Sequence, residues 1–366
     1  MNPFKIKSQC GRARQGILNT AHGRLKTPMF MPVATKGSVK HLSMEEVEST
    51  GTQCLISNAF VLSMKPGVEV IAKAGGLHRF MNWEHGVFTD SGGFQVLSPD
   101  FCLGLKDEGV QFRNPFTGKK MLFSPEYSVE IQAALGSDVA MCLDDVPTAG
   151  VPPARLKEAV ERTTAWAKRC LEAHLASGKG GKQLLFGICQ GGVDKELREK
   201  SAREISGLEA GGRGFDGYAI GGLVIGEPKE KTFPAVDAAL PFLPEEKPRY
   251  MMGVGSPGEL VAAIGRGVDI FDSCFATRTA RHGRAFTSKG NINIDSAKFK
   301  MDFGPVDENC ECFVCKNHSR AYLHHLFRTG EENAGEYLTY HNIWFLQKLM
   351  EKIRAEIKEG SFLAKQ

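Results

Sequence analysis

The chain has 366 residues, 24% of them charged and 42% hydrophobic, with a formal net charge of +4. This is ordinary globular composition, long enough for one large core; it excludes a disordered or fibrous chain and permits a nucleic-acid partner without demanding one. No apolar run reaches the length of a membrane span, and the N-terminal MNPFKIKSQCGRARQG has no apolar core long enough for a signal peptide, so a cytoplasmic protein with no membrane partner is expected.

In chain order, eight short apolar runs alternate with amphipathic or polar stretches: 29–35 (MFMPVAT), 53–60 (QCLISNAF), 86–93 (GVFTDSGG), 138–145 (DVAMCLDD), 184–192 (LLFGICQGG), 217–223 (GYAIGGL), 249–255 (RYMMGVG) and 268–274 (VDIFDSC). Continuous runs of this length fit strands buried on both faces. The clearest intervening helix is predicted over 152–177, opened by Pro152 and Pro153, with Leu156, Val160, Thr163, Ala167, Cys170 and Leu171 at helical spacing. Eight strands with crossovers predict an α/β fold of the (β/α)8 TIM-barrel type, a doubly wound sheet being the alternative.

The runs end in Asn58, Asp90, Asp144, Gln190, Gly222, Gly253 and Asp272. Turn formation explains any one of these alone, but a barrel brings the C-terminal ends of its strands to one rim, where chemistry is built. Gly92 and Gly93 after Asp90 would let the backbone approach a ligand, and Asp144 and Gln190 could read a planar heterocycle by hydrogen bonds. Leu223 and Ile225 are candidate pocket walls in AIGGLVIGE, whose glycines form no phosphate-binding fingerprint. In GVDIFDSCFATRTARHGRAF (267–286), Asp272 meets a cluster of Arg278, Arg281, His282 and Arg284. That pattern is either a salt bridge at a strand end or a nucleophile beside a polyanion. With Lys289, Lys298, Lys300, Lys316 and Arg320, the arginines form a candidate phosphate-binding surface.

Of ten cysteines, Cys10, Cys54, Cys102, Cys142, Cys170, Cys189 and Cys274 are scattered and read as reduced thiols. Cys310, Cys312 and Cys315 form a CxCxxC cluster, a metal signal that points to zinc. His318, His324, His325 and His341 compete for the fourth position; Cys3His closes the tetrahedron, which makes the zinc structural.

The motifs TPMFMPVATKGSVK, TDSGGFQV, GICQGGV, AIGGLVIGE, YMMGVGSP, FDSCFATRTARHG and the CxCxxC with a distant HN occur in this order. On them the chain resembles the tRNA-guanine transglycosylase (queuine tRNA-ribosyltransferase) family, bacterial type. The resemblance implies a single barrel domain over 1–366, a zinc-binding subdomain over 285–345 near its C-terminal end, one structural Zn2+ on Cys310, Cys312, Cys315 and His341, and a homodimer. It implies exchange of guanine at wobble position 34 of GUN-anticodon tRNAs for a 7-deazaguanine base, queuine or preQ1. Asp272 would be the nucleophile toward ribose C1′ and Asp90 the general acid/base. Asp144, Gln190, Gly222 and Leu223 would read the base, Phe94 and Met252 would sandwich it, and Arg278, Arg281 and Arg284 would hold the tRNA. The rival readings are a non-catalytic partner subunit, which the two acids oppose, and a tRNA-binding zinc protein without exchange.

The chain departs from the family pattern in FDSCFATR, where the family reads FDCV, an apolar residue and PTR, and in SNAFVL, where it reads GNTYHL. Val146 and Phe94 replace the Cys and Tyr of preQ1-using members, whereas Ile225 is bulky where queuine-using enzymes carry Gly. A pocket moved toward queuine is the resulting expectation.

Overall fold

The computed structural model describes residues 2–178 and 182–364. Each of the eight apolar runs contains one strand: β1 Met29–Pro32, β2 Cys54–Asn58, β3 Gly86–Asp90, β4 Val139–Met141, β5 Leu184–Cys189, β6 Gly217–Ile220, β7 Arg249–Met251 and β8 Ile270–Ser273. Neighbouring strands pair in parallel, in the order β1-β8-β7-β6-β5-β4-β3-β2. A parallel bridge between Val33 and Ile56, with Ala34 N–H donating to the Ile56 carbonyl at 2.7 Å, joins β1 to β2 and closes the ring. The open doubly wound sheet is thereby excluded, and the fold is a (β/α)8 barrel.

The strands are shorter than the runs that predicted them, because the last residues of most runs leave the ladder to form loops at the C-terminal rim. The helical layer is α1 Met44–Ser49, α2 Val68–Lys73, α3 Pro125–Leu135, α4 Pro153–Ala176, α5 Lys195–Ser206, α6 Lys229–Ala239, α7 Pro257–Ile264 and α8 Asn333–Glu359. Helix α4 matches its predicted span to one residue at each end, and it buries Val160, Thr163, Ala167, Cys170 and Leu171 against the barrel.

Side chains alternate along a strand, so the residues pointing into the barrel are every second one. Met29, Met31, Cys54, Ile56, Phe88, Val139, Met141, Phe186, Ile188, Ala219, Tyr250 and Ile270 fill the interior. Large and small residues interlock there: a Cβ added at Gly217 would lie 2.5 Å from the Phe186 ring. Each fully buried large apolar side chain contributes about 1.5–3 kcal/mol.

Among the described residues, two three-stranded antiparallel sheets and a two-stranded antiparallel ribbon of Arg284–Ala285 and Ile292–Asn293 lie outside the eight runs. Phe4–Cys10, Ala13–Thr20 and Gly23–Thr27 pair at the N-terminal mouth, and Phe4, Leu18 and Leu25 join the interior cluster as its plug. Cys102–Lys106, Gly109–Arg113 and Lys120–Phe123 form a second sheet inserted between β3 and α3.

Candidate active site

Continuing the inward alternation past the interior layers leads to Asn58, Asp90, Gln190, Met252 and Asp272, the polar upper end of the barrel. Asn58, Asp90, Met252 and Asp272, with Phe94, Asp144, Gly222, Leu223 and Arg278, line one cavity of about 620 Å³, and Gln190 stands behind it, bonded to Asp144. The sequence-predicted rim is therefore one site.

Asp272 ends β8. Its Oδ1 accepts the Tyr250 hydroxyl at 2.5 Å and the Gly253 N–H at 3.0 Å. Burial pushes its carboxyl up, and these two donors act in the opposite direction by favouring the charged form. Among the described residues no arginine pairs with it, so the salt-bridge reading of the Asp272 segment does not hold. Arg278 is exposed at the cavity edge on the short helix Phe275–Ala280, Arg281 is half-buried beside Gly335, and Arg284 is exposed. Their charges are available to a ligand.

Asp90 ends β3, and its Oδ2 accepts the Asn58 amide at 3.1 Å. The other end of that amide, Asn58 Oδ1, accepts the Val61 N–H at 2.9 Å and caps the turn that follows β2. Burial, then the neighbouring Asp272 charge, push Asp90 up to about 6. A carboxyl placed there can give and take a proton near neutral pH. Gly92, at φ +93°, is required behind it, because a Cβ would sit 2.2 Å from Phe60 Cβ.

Asp144 lies beyond β4, and its Oδ2 accepts Gln190 Nε2 at 2.7 Å. Burial and then Asp90 push this acid up to about 8. Gln190 Oε1 is buried without a partner among the described residues. A buried acceptor of this kind costs about 1–3 kcal/mol unless something donates to it. Gly222, at φ +66°, allows the close approach here; its Cβ would lie 2.2 Å from that same oxygen. Phe94, 51% exposed, and Met252 offer apolar surface to the cavity, and Leu223 is buried in its wall together with Val146 and Ile225 nearby.

Two site residues escaped the sequence reading. Tyr250 is the interior residue two positions before Met252, and the period of two could have found it. Arg198 is fully buried on α5, with Nη1 donating to the Cys189 and Gly221 carbonyls at 2.9 Å each and Nη2 to the Gly192 carbonyl at 2.6 Å. It ties the ends of β5 and β6 together beneath Gln190 and Gly222. Its spacing with Ser201, Ala202 and Ile205 on the buried face of α5 was the available signal.

Away from the cavity, Cys310, Cys312, Cys315 and His341 bring four ligand atoms within 4.8 Å of one another. His341 Nδ1 lies 3.8, 3.4 and 3.4 Å from the three sulfurs, close to the roughly 3.5 Å edge of a tetrahedron with Zn–S and Zn–N bonds of normal length. The ring is oriented by Nε2 against the Phe286 carbonyl at 2.7 Å. Of the competing histidines, His324 spends Nδ1 on the Ile294 carbonyl at 2.8 Å, and neither it nor His318 or His325 joins the cluster. The donor set fits a metal ion.

Residues 9–366 match the family described as Queuine tRNA-ribosyltransferase. The chain belongs to this family. Relatives named Queuine tRNA-ribosyltransferase include that of Geobacillus kaustophilus, 47% identical over 97% of this chain and 92% of the relative. That of Thermotoga neapolitana is 47% identical over 98% and 95%, and that of Bacillus subtilis 46% over 95% and 89%. The family's near-complete coverage takes in the barrel, the rim acids and the Cys3His cluster together. Among the described residues no helix is long and apolar enough to cross a membrane.

Proposed function

We propose that the protein is a tRNA-guanine transglycosylase, a pentosyltransferase that exchanges guanine at position 34 of GUN-anticodon tRNAs for a 7-deazaguanine base. The observation that carries this reading is the pair Asp90 and Asp272, two carboxylates that have no cationic partner among the described residues, at the ends of β3 and β8 in one cavity.

In this reading an Asp272 oxygen forms a bond to ribose C1′ as the bond from C1′ to guanine N9 breaks. The bonding pair leaves with guanine, and Asp90 supplies the proton the departing base needs. The incoming base then returns that proton to Asp90 as its nitrogen displaces Asp272 from C1′, and the ribose-phosphate chain is never cut. The transition state has oxocarbenium character, which a carboxylate stabilises and then captures. The exchanged nucleotide must leave its stack to enter the cavity.

Asp144 and Gln190 take the base edge, with the Gly222 and Leu223 backbone; the unpartnered Gln190 Oε1 favours a ligand that donates. Phe94 and Met252 flank the ring, and Arg278, Arg281 and Arg284 take phosphates. Of the two bases we infer queuine, because Val146 and Phe94 make an apolar wall, while Ile225 sets its limit. Competition between queuine and preQ1 for incorporation decides this, and a strong preference for preQ1 overturns it.

Cys310, Cys312, Cys315 and His341 would hold one Zn2+, which supplies structural closure and no open coordination position. Residues 285–345 form the zinc-binding subdomain of a single barrel domain spanning 1–366. Met301, Phe303 and Phe313, 73%, 74% and 53% exposed in that region, support a homodimer. A tRNA substrate places the protein in the cytoplasm.

Incubating the protein with unmodified GUN-anticodon tRNA and labelled guanine tests the reading. Label enters tRNA with the unaltered protein and not with Asp272→Asn. Binding of tRNA without label in either case would instead support a non-catalytic tRNA-binding protein or partner subunit.

A further inference from the structure

The sheet inserted between β3 and α3 has one unexplained edge. Its inner face is packed: Phe112 and Phe123 both stand edge-on to Phe60, at centroid distances of 5.1 Å, and Phe60 abuts Gly92 immediately behind Asp90. Because the insertion follows the C-terminal end of β3, it belongs to the same rim as the cavity. Its outer edge ends in the turn RNPFTGKK (113–120), where Arg113, Phe116, Lys119 and Lys120 are all exposed.

From Gly109 to Pro125 the chain contains no acidic residue. The acids of this sheet, Asp107 and Glu108, lie at its other end, where Arg169 of α4 grips their carbonyls at 2.9 and 3.1 Å and Arg162 approaches Asp107 at 3.5 Å. Lys65, from the loop after β2, adds a fourth cation, with Nζ 5.3 Å from the Phe116 ring centroid. Phe116 itself is 59% exposed.

The turn is held in shape rather than loose. Asn114 Oδ1 accepts the N–H groups of Phe116 and Thr117 at 2.9 and 3.1 Å, and the Asn114 carbonyl accepts the Gly118 N–H at 2.8 Å. Arg113 Nη1 donates to the Gly118 carbonyl at 3.2 Å. An aromatic ring and four cations on a preorganised tip fit a polyanion that also offers flat bases or sugars, and RNA is such a ligand.

The geometry points to the turn 113–120, with Lys65, as a second tRNA-contacting surface, which holds the phosphodiester backbone of the substrate's anticodon arm apart from the arginines after β8. This inference rests on tRNA being the substrate. The occupant is the tRNA that delivers its base to the cavity, because the turn and the cavity share one rim.

The test compares the unaltered protein with a Lys119→Glu/Lys120→Glu double variant and with Phe116→Ala, whose altered side chains are exposed and make no side-chain hydrogen bond among the described residues. Binding of full-length tRNA is read by fluorescence anisotropy across a salt series, and guanine exchange is measured alongside. The double variant is expected to weaken tRNA binding about tenfold at low salt and to shrink the slope of log affinity against log salt by about two. Phe116→Ala weakens binding severalfold with the slope unchanged, and kcat and the KM for guanine stay as they were. Unchanged tRNA affinity and salt slope in the double variant would overturn the inference. Absence of exchange by the unaltered protein would overturn the transglycosylase reading instead, and the binding series still reports on the turn.

Discussion

The Tyr250 hydroxyl donates to Asp272 Oδ1 at 2.5 Å, from a side chain completely buried in the barrel interior. This bond reaches the acid from below, on the side away from the cavity mouth, and together with the Gly253 N–H it favours the ionised form that a nucleophile needs. Tyr250→Phe removes one donor while keeping the ring's packing. We expect kcat/KM for exchange to fall about tenfold, the cost of one charge-assisted hydrogen bond. The acidic limb of the pH profile moves to higher pH, because burial then acts on Asp272 with less opposition. An unmoved acidic limb would show that Tyr250 serves packing alone.

In the proposed role of Asp144, base binding is expected to depend on pH. Its carboxyl is raised from 3.8 to about 8 by burial and by Asp90, so at neutral pH the empty site holds it protonated. Guanine presents N–H donors on its N1 and N2 edge and needs the carboxylate, so binding expels the proton. Affinity for the free base should rise about tenfold per pH unit toward pH 8 and then flatten. Calorimetry in two buffers of different ionisation enthalpy reads the proton release, and Asp144→Asn abolishes it. The sign for stability is opposite: the folded state keeps a proton that the unfolded chain loses near 3.8, so this group lowers stability as pH rises toward 8.

Arg198 is expected to act on base binding through the carbonyls that it holds. Replacing it by Met leaves the Cys189, Gly192 and Gly221 carbonyls buried without this donor. A stability loss of about 3 kcal/mol in urea unfolding is expected. The KM for the base should rise about tenfold while the KM for tRNA is unchanged. Equal changes in both would mean that the rim as a whole has collapsed.

Metal removal should act on stability. A Cys3His site contributes folding free energy directly, so a chelator, or Cys312→Ser, is expected to lower the unfolding midpoint by on the order of 10 °C. Metal analysis of the purified protein should give one zinc per chain, lost in the variant. A midpoint insensitive to chelation in a zinc-containing protein would place the ion elsewhere.

Much of this architecture was legible in the sequence because parallel strands buried on both faces are written as continuous apolar runs. The rim acids followed from those runs, since Asp90 and Asp272 stand where the apolar character stops. Both three-stranded antiparallel sheets were missed because their strands alternate, as in GVQFR with its exposed Gln111 and Arg113, and are more polar than the runs that stood out. The choice among four histidines needed the fold: His341 reaches the cysteines only because α8 crosses beside the Cys312 segment. Arg198 was hidden because an arginine within an amphipathic helix reads as solvated, and only three converging carbonyls show otherwise.

The most direct test of the central claim is to trap the intermediate. The protein is mixed with unmodified GUN-anticodon tRNA, denatured, digested with ribonuclease and protease, and analysed by mass spectrometry. A peptide containing Asp272 that carries a ribose-phosphate remnant, absent from Asp272→Asn, is the predicted result. A remnant on another residue, or base exchange that persists in Asp272→Asn, would contradict the account.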